Sequence, residues 1–362
     1  MVKKKTKPVD RQDAYGKITG KAKYVDDLKF PGMLYVQTVR CPYPHARILG
    51  IDTTEALKLK GVVKVLTAKD VFGRNHLPND KPVLVEEIVK CTGDGVAIVV
   101  AETKSLAVKA AKLVKVECEE LPAVFTPEEA LDPDAPILHG ESNLAIAHKT
   151  VKGDIEKGFG EADVIIEREY ATQRAMHAAI EPDGAIVVPE ADGITVYCPG
   201  KGPFNVKRAV AAAVGLSENR VRLIQPAIGG AFGGKDCDIN VIASRTAMAA
   251  MITGRPCKMT WTREEVLLEG SKRHPFKLKY KIGAKRDGHI TAIEIKGLAD
   301  VGAYITKSKA TIWRATVEAT GPYNIENVYT TIRGAFTNNV YSDAVRGFGS
   351  PQVDFASESL MT

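Results

Sequence analysis

The stretch Gly229-Gly230-Ala231-Phe232-Gly233-Gly234-Lys235 decides how the rest of this 362-residue chain is read. It sits between an apolar, strand-like run (Arg220 to Ile224) and a largely apolar helical run (Ile239 to Ile252). Four glycines in six positions let the backbone take positive φ and approach a ligand closely, and the helix start that follows offers unpaired N–H groups to an anion. Such a loop is built to cradle a phosphate. Read literally, Gly229 to Lys235 satisfies the G-x-x-x-x-G-K pattern of a nucleotide loop, but the next residue is Asp236, where a Ser or Thr hydroxyl should ligate magnesium. A carboxylate there would also add negative charge beside a triphosphate. A nucleotide-binding protein is therefore a remote alternative, and a plain strand-to-helix turn is the other bland one.

Working outward, the helix after the loop ends at Gly254 with Pro256 just beyond, and its few polar residues imply burial on most sides. Upstream, Met33 to Arg40, Val62 to Thr67, Gly95 to Ala101 and Val114 to Cys118 read as strands. Thr103 caps an alanine-rich helix running to Leu113. This alternation makes residues 13–125 an α/β unit behind a basic tail, 1–12. Residues 126–153, with Pro127, Pro133 and Pro136, read as an extended connection, which leaves 154–362 as the second domain. There the expected elements are strands at Val164 to Tyr170 and Ala185 to Val188 and a helix from Val206 to Val214 stopped by Gly215. A hairpin joins Lys277 to Ile282 and Ile290 to Lys296 around Asp287-Gly288. The run ending at Thr362 reads as mid-helix, either a subunit boundary or a truncation.

Composition narrows the function. The net charge of +6 is modest, and the one dense basic run, Lys3-Lys4-Lys5-Thr6-Lys7, reads as a solvated tail, so no nucleic-acid partner is expected. The six cysteines show neither a CxxC pair nor a histidine at metal-ligand spacing. Free thiols, no metal ligated directly by side chains and a cytoplasmic setting follow. No apolar run is long enough to cross a bilayer, and the lysine-rich start lacks the apolar core of a signal peptide. Cluster-type cysteine spacing and a dinucleotide fingerprint are also missing.

Two motifs together carry a resemblance: Ile228-Gly-Gly-Ala-Phe-Gly-Gly-Lys235 and Ala344-Val-Arg-Gly-Phe-Gly-Ser-Pro-Gln352. In this order, about a hundred residues apart, they resemble the paired glycine motifs of the molybdenum hydroxylases, the xanthine dehydrogenase and aldehyde oxidase family. Pro31-Gly-Met-Leu-Tyr35, Pro44-His-Ala-Arg-Ile48, Leu121-Pro-Ala-Val124, Glu181-Pro182 and Gly202-Pro-Phe204 agree. Around Lys272-Arg-His-Pro275 and Arg314-Ala-Thr-Val317 the sequence is most similar to the large molybdopterin subunit of nicotinate dehydrogenase, whose molybdenum-binding half is split over two chains. The resemblance implies an N-terminal α/β hammerhead domain followed by the first molybdopterin-binding domain. It implies a molybdopterin carrying molybdenum, plain or as the cytosine dinucleotide, and hydroxylation of an N-heterocycle or an aldehyde with water. Electrons would leave through [2Fe-2S] clusters and FAD on partner subunits.

The same resemblance places residues. Gly229, Gly230, Ala231, Phe232, Gly233 and Arg346 fall at the cofactor. A core aromatic is the alternative for Phe232, and a surface salt bridge for Arg346. Lys201 stands where the family commonly has a glutamine that donates to a ligand of molybdenum; a lysine donates too, but as a charge on a flexible stem. Asp236, Arg314 and Phe348 fall on substrate positions. Asp236 either meets a ring nitrogen or caps the following helix, Arg314 either meets a polar substrate or forms a structural ion pair, and Phe348 either packs on the substrate ring or in the core. His177 is expected to be structural. No catalytic residue is expected in this chain, because the family's general base, a glutamate, lies in a C-terminal half that would be a partner or a missing piece. Alone the chain should be inert, and a non-catalytic scaffold of the same fold is the alternative.

Overall fold

Gly95–Ala101 is apolar at every position, which suits a strand covered on both faces, and all seven of its residues are buried in the computed structural model. The structure describes residues 11–77 and 80–362, so most of the basic tail lies outside the described residues. Gly95–Ala101 lies next to the edge of a seven-stranded sheet in the order Val221–Ile224, Gly193–Tyr197, Gly184–Glu190, Cys257–Thr260, Leu34–Arg40, Gly95–Ala101, Val62–Thr67. A five-stranded sheet runs Leu144–Lys152, Asn327–Phe336, Ile290–Gly302, Phe276–Ala284, Val164–Ala171. A small sheet of Ile88–Val89, Ala46–Asp52 and Lys115–Glu120 completes the β structure.

The seven-stranded sheet draws on both halves of the chain. Leu34–Arg40 pairs in parallel with Cys257–Thr260, with Leu34 opposite Cys257 and Tyr35 opposite Lys258. One core then holds Leu34, Leu66 and Ile98 from the first half with Ala185, Val210 and Ile239 from the second. The segment 126–153 is not simply an extended connection. It carries the helix Pro127–Ala130, capped by the Thr126 hydroxyl, and the strand Leu144–Lys152 at the edge of the five-stranded sheet. Prolines and exposed side chains hide that strand in the sequence, since an edge strand with little burial lacks the alternation that reveals a strand.

The expected hairpin is present and longer, Phe276–Ala284 against Ile290–Gly302. Helix Pro203–Val214 starts three residues before its expected position, because Pro203 fits the first turn of a helix, and Gly215 ends it in the left-handed conformation. Helix Cys237–Thr253 is buried without interruption from Cys237 to Ala250, as its composition requires. Its burial includes Arg245, a charge that must be met inside the protein.

Glu269 meets it. The Glu269 carboxylate accepts from Arg40 at 2.8 Å and from Arg245 at 3.1 Å, and Lys81 lies 3.8 Å away. Burial alone would raise the Glu269 pKa, but Arg245, Arg40 and Lys81 outweigh it and hold the group down to about 2. Arg40 and Lys81 come from the first half, so this network ties the two halves of the chain. Because the folded-state pKa lies below the ordinary 4.5, the stabilisation is complete above pH 4.5 and is lost as pH falls toward 2. Glu269→Gln should destabilise the protein by about 3 kcal/mol at pH 7 by leaving buried cations uncompensated. Urea unfolding of both proteins between pH 7 and pH 3 should show that difference shrinking on the acid side.

Candidate functional site

A polar cluster beneath the glycine loop fixes its shape. The Glu181 carboxylate accepts from the Gly229 N–H at 2.7 Å and from the fully buried Lys235 ammonium, while the Glu181 N–H donates back to the Gly229 carbonyl. In the sequence Glu181 is marked only as part of the Glu181-Pro182 motif. Its position 48 residues upstream gives no local signal of the contact. A space of about 10 Å³ remains among His177, Glu181, Asp183, Lys235, Asp238 and Arg263. Burial pushes the Asp183 carboxyl up to about 8, with Asp238 adding to the rise.

The two glycine motifs touch. The Arg346 N–H donates to the Phe232 carbonyl at 2.9 Å, and Gly233, at φ +108°, lies so close to the Ala344 carbonyl that a Cβ would stand 2.2 Å from its oxygen. His177 braces the same contact. Its Nε2 lies 2.8 Å from the Ala344 oxygen, and its ring would stand 2.9 Å from a Cβ on Gly234, which agrees with a structural role. Phe232 has φ +50°, a left-handed conformation that a bulky residue rarely adopts, and half of its surface is exposed. Its ring folds back over Gly230, where a Cβ would lie 3.1 Å from the ring. Phe232 is therefore not a core aromatic.

The other expected residues separate into engaged and open ones. Asp236 is buried at the start of helix Cys237–Thr253, yet its side chain makes no cap. Its carboxylate is instead hydrogen-bonded by Lys307 and lies 3.6 Å from the Lys201 ammonium. Nothing in the sequence links Lys307 to a residue 71 positions away. Arg314 forms its ion pair, donating to Glu318 at 2.9 Å and to the Ser350 hydroxyl at 2.9 Å, and its guanidinium stacks 4.9 Å from the Phe348 ring. Arg346 is exposed and its side chain has no ion pair among the described residues. No group of His, Cys, Asp and Glu that could hold a metal ion occurs among the described residues.

A groove of about 830 Å³ over one face of the five-stranded sheet is lined by residues such as Lys277, Lys279, Glu128 and Glu169, whose charges pair with one another or with neighbours. It includes none of the loop residues.

Residues 19–122 match the aldehyde oxidase and xanthine dehydrogenase a/b hammerhead domain, and residues 138–362 match the molybdopterin cofactor-binding domain. The chain belongs to the molybdenum hydroxylase family. It is 40% identical to a probable xanthine dehydrogenase subunit of Bacillus subtilis over 96% of its length, but spans only 47% of that protein. It is 37% identical to the nicotinate dehydrogenase large molybdopterin subunit of Eubacterium barkeri, spanning 96% of this chain and 83% of that one. The aldehyde oxidoreductase of Desulfovibrio desulfuricans superposes with a TM-score of 0.91 at 32% identity, over 97% of this chain and 41% of that one. The hammerhead and first molybdopterin-binding domains that the motifs implied are thus present, on a sheet the two segments share.

In this molybdenum hydroxylase chain, Gly233→Ala should cost about 3 kcal/mol, combining a disfavoured left-handed residue with a clash against backbone. Gly140→Ala, also at positive φ but with open space around it, should cost about 1 kcal/mol. Chemical denaturation of the two variants separates conformational preference from the loop contact. The Asp183 pKa rises on folding, so its contribution to stability falls as pH climbs from the ordinary 3.8 to about 8. Asp183→Asn should flatten that fall in melting curves across this range.

Proposed function

We propose that this chain supplies one half of a molybdenum–pterin site that hydroxylates an electron-poor carbon of an N-heterocycle or an aldehyde with oxygen from water. The observation that carries the reading is the paired loop itself: a half-exposed Phe232 is held at positive φ by a neighbouring backbone and by a buried Glu181–Lys235 pair. Strain of about 1–3 kcal/mol at such a residue persists only when its surroundings over-determine it, and such residues gather at functional sites. A pterin with an anionic tail suits this loop, because glycine backbone can come close where side chains cannot. Gly229, Gly230, Ala231, Phe232 and Gly233 would meet the cofactor through backbone and ring, and Arg346 through its open guanidinium. When bound, the cofactor would supply the two-electron oxidation. This chain's residues bind and orient it, and Phe348, stacked on Arg314, gives the substrate side an aromatic edge.

A proton-accepting glutamate is assigned to the C-terminal molybdopterin half, on a partner subunit or on a continuation of this chain. Among this chain's acids at the site, Glu181 and Asp236 already accept from lysines and Glu318 is held by Arg314 and Ser350. Ile180, Phe204, Phe232, Trp313 and Val317 are exposed apolar side chains, which favours further polypeptide covering them. The electrons would pass to [2Fe-2S] and FAD subunits, and the free cysteines suit a cytoplasmic complex.

The test is to purify the protein with the polypeptides that accompany it and to measure molybdenum, pterin and dye reduction driven by N-heterocycles and aldehydes. Molybdenum and pterin should be present, and Arg346→Ala should lower cofactor retention about tenfold, the scale of one lost charge-assisted hydrogen bond. A complex free of both molybdenum and pterin would sink the proposal. One loaded with molybdenum but inactive with every substrate would favour the scaffold reading.

A further inference from the structure

The hammerhead segment holds a pair of thiols that the glycine-loop site does not use. The Cys41 and Cys118 sulfurs lie 3.7 Å apart across 77 positions of sequence. Both pack in one apolar cluster with Val39, Ala46 and Val99, so the contact is enclosed by the hammerhead core. Cys41 follows directly on strand Leu34–Arg40, and its backbone is held on both sides. Its N–H donates to the Asp94 carbonyl at 3.1 Å, and its carbonyl accepts from the Gly93 N–H at 3.0 Å. Cys118 lies in strand Lys115–Glu120, opposite Ile48 of the neighbouring strand. The two backbones are therefore fixed by different sheets, the seven-stranded one next to Cys41 and the small one at Cys118. Of the six cysteines Cys118 alone is not buried, so a reagent in solution can reach the pair only through it.

We infer that Cys118 and Cys41 form a dithiol modification site, which a low-molecular-weight disulfide closes into a bond that clamps the two sheets together. The Cys118 thiolate attacks one sulfur of the reagent, forms a mixed disulfide and releases the first small thiolate. The Cys41 sulfur then attacks the Cys118 sulfur and expels the second. Two protein thiols lose two electrons, the reagent disulfide gains them as two small thiols, and the cysteine protons pass to those leaving groups. Burial, with Cys118 beside it, pushes the Cys41 thiol up to about 12, which suits the slower, resolving partner and not the first to react. Closing the contact to the roughly 2 Å of an S–S bond is within reach of side-chain rotation on two anchored strands. The bond would fix the end of strand Leu34–Arg40 to the small sheet, directly beside the Arg40 that holds Glu269. It would also close a long loop in the unfolded chain, which favours the folded state.

The experiment uses the protein purified with the polypeptides that accompany it, incubated under native conditions with oxidised glutathione, then alkylated and mapped by mass spectrometry without reduction. Wild type should yield a Cys41–Cys118 cross-link and a melting temperature about 5 °C higher, both reversed by dithiothreitol. Cys41→Ala should stop at glutathione attached to Cys118, and Cys118→Ser should leave Cys41 as a free thiol. Wild type that keeps both thiols free, or that holds glutathione on Cys118 without passing to the cross-link, overturns the inference. So does a cross-link that forms only in urea, because the folded contact is then not what brings the sulfurs together. A cross-link that leaves the melting temperature unchanged or lower overturns the clamp. If Cys41→Ala fails to fold, the wild-type map and its reversal still decide between these results. None of the readouts depends on molybdenum or pterin content, so failure here is separate from failure of the functional reading.

Discussion

The site depends on one steric constraint: only hydrogen fits between Gly233 and the carbonyl of Ala344. This contact places two loops more than a hundred residues apart in register, and the hydrogen bond from Arg346 N–H to the Phe232 carbonyl then follows from it. A loop of glycines alone would be free to move, because glycine loses more conformational entropy on ordering than any other residue. Here the freedom is removed from below, by Glu181 and Lys235, and from the side, by His177 on the Ala344 oxygen. Flexible residues thus make a fixed surface.

Beneath this lies a second constraint of charge. Arg245 sits in the middle of the helix that follows the loop, and Glu269 with Arg40 and Lys81 compensates it. A buried ion network contributes little net stability compared with apolar packing, but it discriminates strongly against any arrangement that leaves one member alone. Since Arg40 and Lys81 belong to the hammerhead segment and Arg245 to the pterin segment, the network penalises sliding one against the other. The parallel pairing of Leu34 with Cys257 acts in the same direction through the backbone.

Those two constraints explain what the sequence revealed. Glycine spacing and the apolar run from Ile239 onward were enough to place a turn into a buried helix, since both are local signals. The shared sheet was not visible. Cys257–Thr260 is four residues long, and its pairing with Leu34–Arg40 spans more than two hundred positions. Candidate site residues divided along the same line. Phe232 and Arg346 are marked by the glycines around them, and the structure leaves both exposed at the loop contact. Asp236 and Arg314 are marked only by position in a motif, and each is engaged: Asp236 by Lys307, 71 positions away with no local signal, and Arg314 by Glu318, four positions on in the same helix.

The consequence for chemistry lies in how these engagements distribute charge. Asp236 faces two lysines, and the geometry gives its hydrogen bond to Lys307 while Lys201 stands 3.6 Å away. The second lysine is then held in place by attraction while keeping its donors, which a simple surface lysine or a closed salt bridge would not do. Phe232, strained and half exposed, is likewise fixed from behind and unfilled in front. Rigid support under an open polar and aromatic face is the arrangement by which a protein binds without reorganising, because the ordering of its own groups has been met during folding. In this chain that support comes from both segments of the sequence, so the glycine loop acts as the visible end of a scaffold that starts at Arg40 and Lys81.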